Sequence, residues 1–101
     1  MGQLQDMGKQ VIANNEKAAD TIYQRKPGGP EMVAPVMKLL VTFTELLVQS
    51  GKVSADNAQQ MQEWQTDFSR LAKANEEGDY ILVADILHHD LNREIEAWIA
   101  K

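Results

Sequence analysis

The chain contains no cysteine, which excludes disulfide bonds, thiolate zinc sites and cysteine nucleophiles. It also has no basic run: 10 Lys and Arg are scattered against 15 Asp and Glu, giving a net charge of −5. An acidic protein without a basic stripe is repelled by nucleic-acid phosphates and by anionic membrane surfaces. We therefore expect neither a nucleic-acid nor a membrane partner.

Long apolar runs are missing as well. The longest, 39–43, contains Thr42 and is flanked by Lys38 and Glu45, so it is too short and too polar to span a bilayer. The first residues lack the basic start and apolar stretch of a secretory signal peptide. These features predict a cytoplasmic protein.

The residue types that the chain does contain predict a single helical domain that covers residues 1–101. The composition, 44% hydrophobic and 25% charged, is that of a soluble globular domain. β-Branched residues never alternate with polar ones over the length of a strand, so no sheet is expected.

Glycines and prolines divide the chain into four segments. The breaks fall at Lys-Pro-Gly-Gly-Pro (26–30), at Gly51 and at Gly78, with Ser54 or Asp56 and then Asp79 as helix N-caps. The predicted helices cover about 3–25, 31–50, 55–76 and 79–100. Because short connections favour antiparallel neighbours, we predict an all-α fold, an antiparallel up-down-up-down four-helix bundle.

The second segment is apolar around more than half of its circumference, which is more than one core face requires. Either this helix is central, or a partner covers its spare face of Met37, Val41 and Val48. That partner is a second copy of the chain or another protein's helix. Trp98 in the fourth segment fits either a core anchor or an interface residue.

Both histidines of the chain are adjacent in the fourth segment. On a regular helix, at about 100° per residue, His88 falls inside the apolar stripe and His89 falls outside it. Asp85 precedes them by three and four residues, so its carboxylate can reach either ring. Asp85, His88 and His89 are therefore weak candidates for a metal or proton-transfer site.

Each kind of metal or catalytic site considered for this region needs a residue that the sequence does not clearly supply. A di-metal bundle uses Glu-x-x-His from two helices, whereas Asp85-x-x-His88 has no counterpart histidine on another helix. A mononuclear site would need a carboxylate from another helix. Histidine phosphotransfer domains carry a His-x-x-Lys-Gly motif at the reactive histidine. Neither His88 nor His89 is followed by Lys-Gly at that spacing. We assign no catalytic residue, no metal and no cofactor.

A structural interpretation is better supported. Asn15 lies in the centre of the apolar stripe of helix one, beside Asn14. If helices one and four are antiparallel, Asn15 and a histidine lie at the same height, and one polar layer can fix the register of a bundle. We predict that Asn15 and His88 share a polar core layer, with Asn14 beside it.

The phrase Gly-Asp-Tyr-Ile-Leu-Val-Ala-Asp-Ile-Leu (78–87), followed by Leu91, Glu94 and Trp98, resembles the C-terminal helix of a family of small helical proteins of Gram-positive bacteria. That family carries a GDY-x-L-x-AD-x-L phrase before an acidic, tryptophan-containing tail, and no activity is established for it. The resemblance covers about a quarter of the chain and implies a bacterial cytoplasmic protein.

These observations favour a non-enzymatic helical interaction module, self-associating or adaptor-like and chaperone-like. The wide apolar face of helix two and the five methionines, which suit adaptable surfaces, support it. The alternative is a metal-dependent or histidine-dependent site at Asp85, His88 and His89.

Overall fold

A computed structural model describes residues 2–100; Met1 and Lys101, the two ends of the predicted domain, lie outside them. Residues 2–100 contain helices and no strand, which confirms the predicted all-α class. The long helices are α1 (Gln3–Tyr23), α2 (Val33–Gln49), α3 (Ala58–Glu76) and α4 (80–99). Single 3₁₀ turns, Pro30–Met32 and Ala55–Asn57, precede α2 and α3. Within residues 2–100, none of these helices combines the length and the apolarity needed to cross a bilayer.

The four helices pack as a bundle whose contacts agree with the predicted up-and-down order. The backbone of α1 lies close to α2 and to α4, and α3 lies close to α4. The remaining side of the bundle, between α2 and α3, is closed by large side chains. The rings of Phe43 and Trp64 are 5.7 Å apart, and the Trp64 indole N–H donates to Thr44 Oγ1 at 2.8 Å.

Helix ends use the residues that the sequence indicates. Ser54 and Asn57 form a reciprocal capping box at the start of the 3₁₀ turn before α3. Asp79 accepts the Leu82 amide at the start of α4. Gly51 and Gly78 follow α2 and α3 with φ of 78° and 74°, the left-handed conformation that glycine adopts without a steric penalty.

The first helix ends earlier than predicted, at Tyr23 instead of 25. Arg25 has φ 56°, and its amide donates to the Ile22 carbonyl while that of Lys26 donates to Thr21. This is the hydrogen-bond pattern with which a left-handed residue closes a helix. Because a non-glycine residue occupies the left-handed position, the sequence marks this stop only through the break at 26–30 and not by a glycine at the helix end.

The fourth helix departs from the regular α-helix that the sequence predicts. It runs as Tyr80–Asp85, a π-helical segment Ile86–Leu91, and Asn92–Ile99. The Asn92 amide donates to the Leu87 carbonyl, five residues back instead of four. The wider turn brings additional residues to the buried side. Asn92 and Glu94, which follow the π-helical segment, are both buried, as are Val83 before it and Ile86 at its start.

Replacing Arg25 with glycine should stabilise the protein, because glycine adopts the left-handed backbone without the penalty of about 1–2 kcal/mol. The greater freedom of glycine in the unfolded chain offsets part of this gain. We expect Arg25→Gly to raise the free energy of unfolding by about 0.5–1 kcal/mol, measured by urea denaturation. Arg25→Ala is the control, since it removes the charge and keeps the Cβ; equal stability of the two variants would contradict the prediction.

Candidate functional site

A polar layer joins α1 to α4 in the interior of the bundle. Asn15 is fully buried, and its Nδ2 donates to Asn92 Oδ1 at 2.8 Å. Asn92, 6% exposed, in turn donates from Nδ2 to Glu16 Oε2 at 2.6 Å. Asn14 bonds the Gln10 carbonyl of its own helix instead and is not a member of this layer.

His88 joins the layer at its outer edge. Its Nδ1 lies 2.5 Å from the same Glu16 Oε2 that accepts from Asn92, so one carboxylate oxygen ties His88 to the buried asparagines. The predicted pair, Asn15 and His88, is thus connected through two residues and not by direct contact. His89 is exposed and meets the His88 ring edge-on, with ring centroids 4.6 Å apart. This arrangement suits a structural role for His88 better than a catalytic one.

The aspartate of the histidine region faces a different partner. Asp85 accepts a hydrogen bond from the Tyr23 hydroxyl, so the predicted pairing of Asp85 with a histidine is replaced by a contact with α1. Burial, the hydrogen bond to Asp85 and the nearby charges of Asp85, Glu16 and Asp20 raise the pKa of Tyr23 to about 12. Tyr23 therefore stays protonated and remains a donor at neutral pH.

Metal binding at the histidines finds no support in the arrangement of the described chain. Among residues 2–100, no three His, Asp or Glu side chains are grouped so that they could hold a metal ion. The candidates Asp85, His88 and His89 are engaged, respectively, with Tyr23, with Glu16 and with the neighbouring ring.

A second polar cluster lies between α3 and α4. Glu94 is 8% exposed, and burial together with a hydrogen bond to Asp67 raises its pKa to about 8. Burial alone would raise the pKa of Asp67 too, but the hydrogen bonds from Glu94 and Arg70 outweigh it and lower that pKa. At neutral pH the proton therefore resides on Glu94, which donates to an ionised Asp67.

Arg70 links this carboxyl pair to Asp90, which lies one turn before Glu94 on α4. Arg70 Nη1 lies 2.9 Å from Asp67 Oδ1 and 3.2 Å from Asp90 Oδ2. The sequence gives no role to Asp67, and Glu94 enters the sequence analysis only as part of the family resemblance. One signal was present: Leu87, Leu91, Glu94 and Trp98 follow the 4-3-4 spacing of a buried helix face.

The apolar face of α2 remains open in the folded chain. Val41 is 45% exposed and Val48 is 58% exposed, while Met37 is half-buried. Trp98 is 3% exposed and belongs to the core, so it is not part of this face. Beside Val41, α2 and α3 enclose a mainly apolar groove of about 300 Å³. Its lining residues are Val41, Thr44, Glu45, Trp64, Gln65, Phe68 and Ser69.

No protein-family model, curated protein or solved structure matches this chain. The folded chain contains three separate features with a possible role. The α1–α4 layer holds two helices in register, the Asp67–Glu94 pair binds a proton, and the open face of α2 can bury apolar surface against another helix.

Breaking the asparagine pair should destabilise the fold more than removing it. Asn92→Leu leaves the Asn15 amide buried without its acceptor, so we expect a loss of about 1–3 kcal/mol in the free energy of unfolding. The double variant Asn15→Leu, Asn92→Leu should recover most of that loss, because two apolar side chains of similar shape then meet. Urea denaturation of the four proteins of this cycle measures the coupling; strictly additive losses would show that the hydrogen bond does not couple the two sites.

The raised pKa of Glu94 predicts a contribution to stability that is lost as the pH rises from about 4.5 to about 8. The folded protein holds this proton up to about pH 8, whereas the unfolded chain releases it near 4.5. The contribution of this proton to folding stability is therefore complete below pH 4.5 and declines as pH rises to 8, by about 1–3 kcal/mol. The groups facing Glu94 are Asp67, Glu63, Arg93 and Asp90.

Glu94→Gln should abolish most of this decline and be the more stable protein at pH 8, as measured by thermal unfolding across the pH range. The exposed Glu96→Gln on the same helix is the matched control and should follow the parent protein. Parallel pH curves for the parent and Glu94→Gln would rule out the shared proton.

Proposed function

We propose that the protein is a non-enzymatic helical interaction module of the bacterial cytoplasm that self-associates through α2. The observation that carries the proposal is the exposed stripe of this helix, on which two large apolar side chains face solvent. The residues of the stripe recur at helical spacing along the whole of α2. They are Ala34, Pro35, Lys38, Val41, Thr42, Glu45, Val48 and Gln49.

The charges on this stripe favour a second copy of the chain as the partner. Lys38 and Glu45 stand three residues before and four residues after Val41, so one cation and one anion flank the apolar centre. The stripe is therefore neutral, although the chain carries a net charge of −5. Two such neutral, charge-segregated stripes attract each other when they run in opposite directions.

An antiparallel two-fold pairing of two α2 helices, centred between Val41 and Thr42, gives each residue of the stripe a suitable residue opposite it in the other copy. Lys38 of each copy then faces Glu45 of the other, and Val48 faces Pro35. Such an interface is isologous, because the same patch serves both copies. The groove beside Val41 adds a place into which a side chain of the second copy can insert.

The expected affinity is modest. A helix of 17 residues is about 25 Å long, and one helix pair buries less than the standard interface of about 1,600 Å². We expect association in the micromolar range, weakened by salt because two ion pairs contribute. An amphipathic helix of another protein, as an adaptor or chaperone would hold, is the competing occupant and an outcome of the test.

A charge-exchange series tests the proposal. Lys38→Glu places two anions opposite each other in the pair, and Glu45→Lys places two cations, so each variant alone should be monomeric at concentrations where the parent dimerises. The doubly exchanged protein should dimerise like the parent, and an equimolar mixture of the two single variants should form a heterodimer. Sedimentation velocity at low salt measures the mass; the exposed Lys17→Glu on α1 is the matched control.

The outcomes separate the alternatives. A parent protein that stays monomeric at high concentration contradicts self-association. A dimer that persists in both single-exchange variants lies elsewhere on the surface and contradicts the assignment to α2.

A further inference from the structure

The cleft between α3 and α4 is a separate feature from the α2 face. It has a volume of about 460 Å³ and is lined by polar side chains. Those side chains are Gln59, Gln62, Glu63, Thr66, Asp67, Arg93 and Glu94. A second cleft of about 330 Å³ shares three of them, Glu63, Arg93 and Glu94, so the two form one acidic groove along the helices.

Glu94 contributes a buried carboxyl group to this groove. More than nine-tenths of the residue is buried, and within the described chain its Oε1 has no hydrogen-bond donor. Asp67 beside it offers further acceptors and no donor of its own when ionised. Two ionised carboxylates in contact repel each other; Arg70 at Asp67 Oδ1 offsets part of this repulsion, and a shared proton or a cation between the oxygens of the pair offsets more of it.

The lining selects the kind of cation. Glu63, Asp67 and an ionised Glu94 outweigh Arg93 by two negative charges. A hard divalent ion takes six or more oxygen ligands, and residues 2–100 offer no group of three carboxylates or histidines placed for one. An ammonium group needs about three acceptors, which two carboxylates and the side-chain oxygens of the groove can supply.

We propose that the α3–α4 groove is a binding site for a small primary alkylammonium cation, whose N–H groups are held between Glu94 and Asp67. The cation takes the place of the proton: the neutral Glu94 carboxyl releases one proton to solvent, and the ammonium donates to the resulting carboxylate. Charge is conserved, since one proton leaves for each cation bound. The site lies on α3 and α4 and does not depend on self-association through α2.

Proton release gives the site a pH signature. Because the pKa of Glu94 is raised to about 8, the ionised form needed for binding is a minor species at pH 7 and the major one at pH 9. The apparent affinity should therefore rise about tenfold between these values. A primary amine has a pKa similar to that of lysine, about 10.4, and stays charged in this range.

NMR titration of the ¹⁵N-labelled protein with n-propylammonium chloride tests the proposal. We expect shifts of the amides of 59–67 and 93–97 that saturate, and an affinity about ten times higher at pH 9 than at pH 7. Tetramethylammonium, which has the same charge and no N–H donor, should leave these amides unshifted, as should magnesium chloride.

Variants complete the test. Glu94→Gln should lose the response, and the exposed Glu96→Gln, with the same replacement of a carboxyl by an amide on the same helix, should retain it. If Glu94→Gln does not fold, Asp67→Asn takes its place and should weaken binding at least tenfold. The proposal is overturned if propylammonium causes no saturable shifts, if tetramethylammonium or magnesium acts equally, or if binding survives in the Glu94 variant.

Discussion

The hydrogen bond between the buried Asn15 and Asn92 is the constraint on which the rest of the bundle depends. Both side chains lie in an apolar interface, where an unpaired amide costs about 1–3 kcal/mol. A slip of α1 along α4 by one turn, about 5.4 Å, would separate the pair and leave both amides unsatisfied. Packing of aliphatic side chains alone would tolerate such a slip far better. The single allowed register also places Glu16 opposite His88 on the surface.

The π-helical segment of α4 makes this register compatible with a second polar cluster. A turn with one extra residue rotates everything that follows it, so that Asn92 faces α1 while Glu94, two residues later, faces α3. In a regular helix Asn92 would lie about 100° from Leu91, at the edge of the core. The wide turn thus serves both neighbours of α4. The π-helical geometry lies within six residues and is flanked by regular α-helical segments.

The sequence was sufficient for the fold and insufficient for the side-chain partners. Glycine and proline breaks, capping residues and helical stripes are local signals, and they predicted the four helices. The contacts of Glu16, Asn92 and Glu94 are made between residues far apart in the chain, and no local pattern encodes which ones meet. The predicted stripe of α4 also assumed a constant 100° per residue, an assumption that fails at a π turn. Asn15 is recognisable because it interrupts an otherwise apolar stripe, whereas Asn92 lies about 100° from Leu91 on a regular helix, where a polar residue is ordinary.

The position of α2 in the bundle explains why its open face is the best candidate for association. α1 and α3 each pack closely against α4, whereas the backbone of α2 lies close mainly to α1. Phe43 and Trp64 close the other side, and Val41 and Val48 remain beyond them. Burying Val41 and Val48 contributes about 25 cal/mol for each Å² of apolar surface removed from water, and α2 exposes two such side chains on one face. A second copy would therefore hold α2 from the side on which the bundle holds it least, so association and folding are linked.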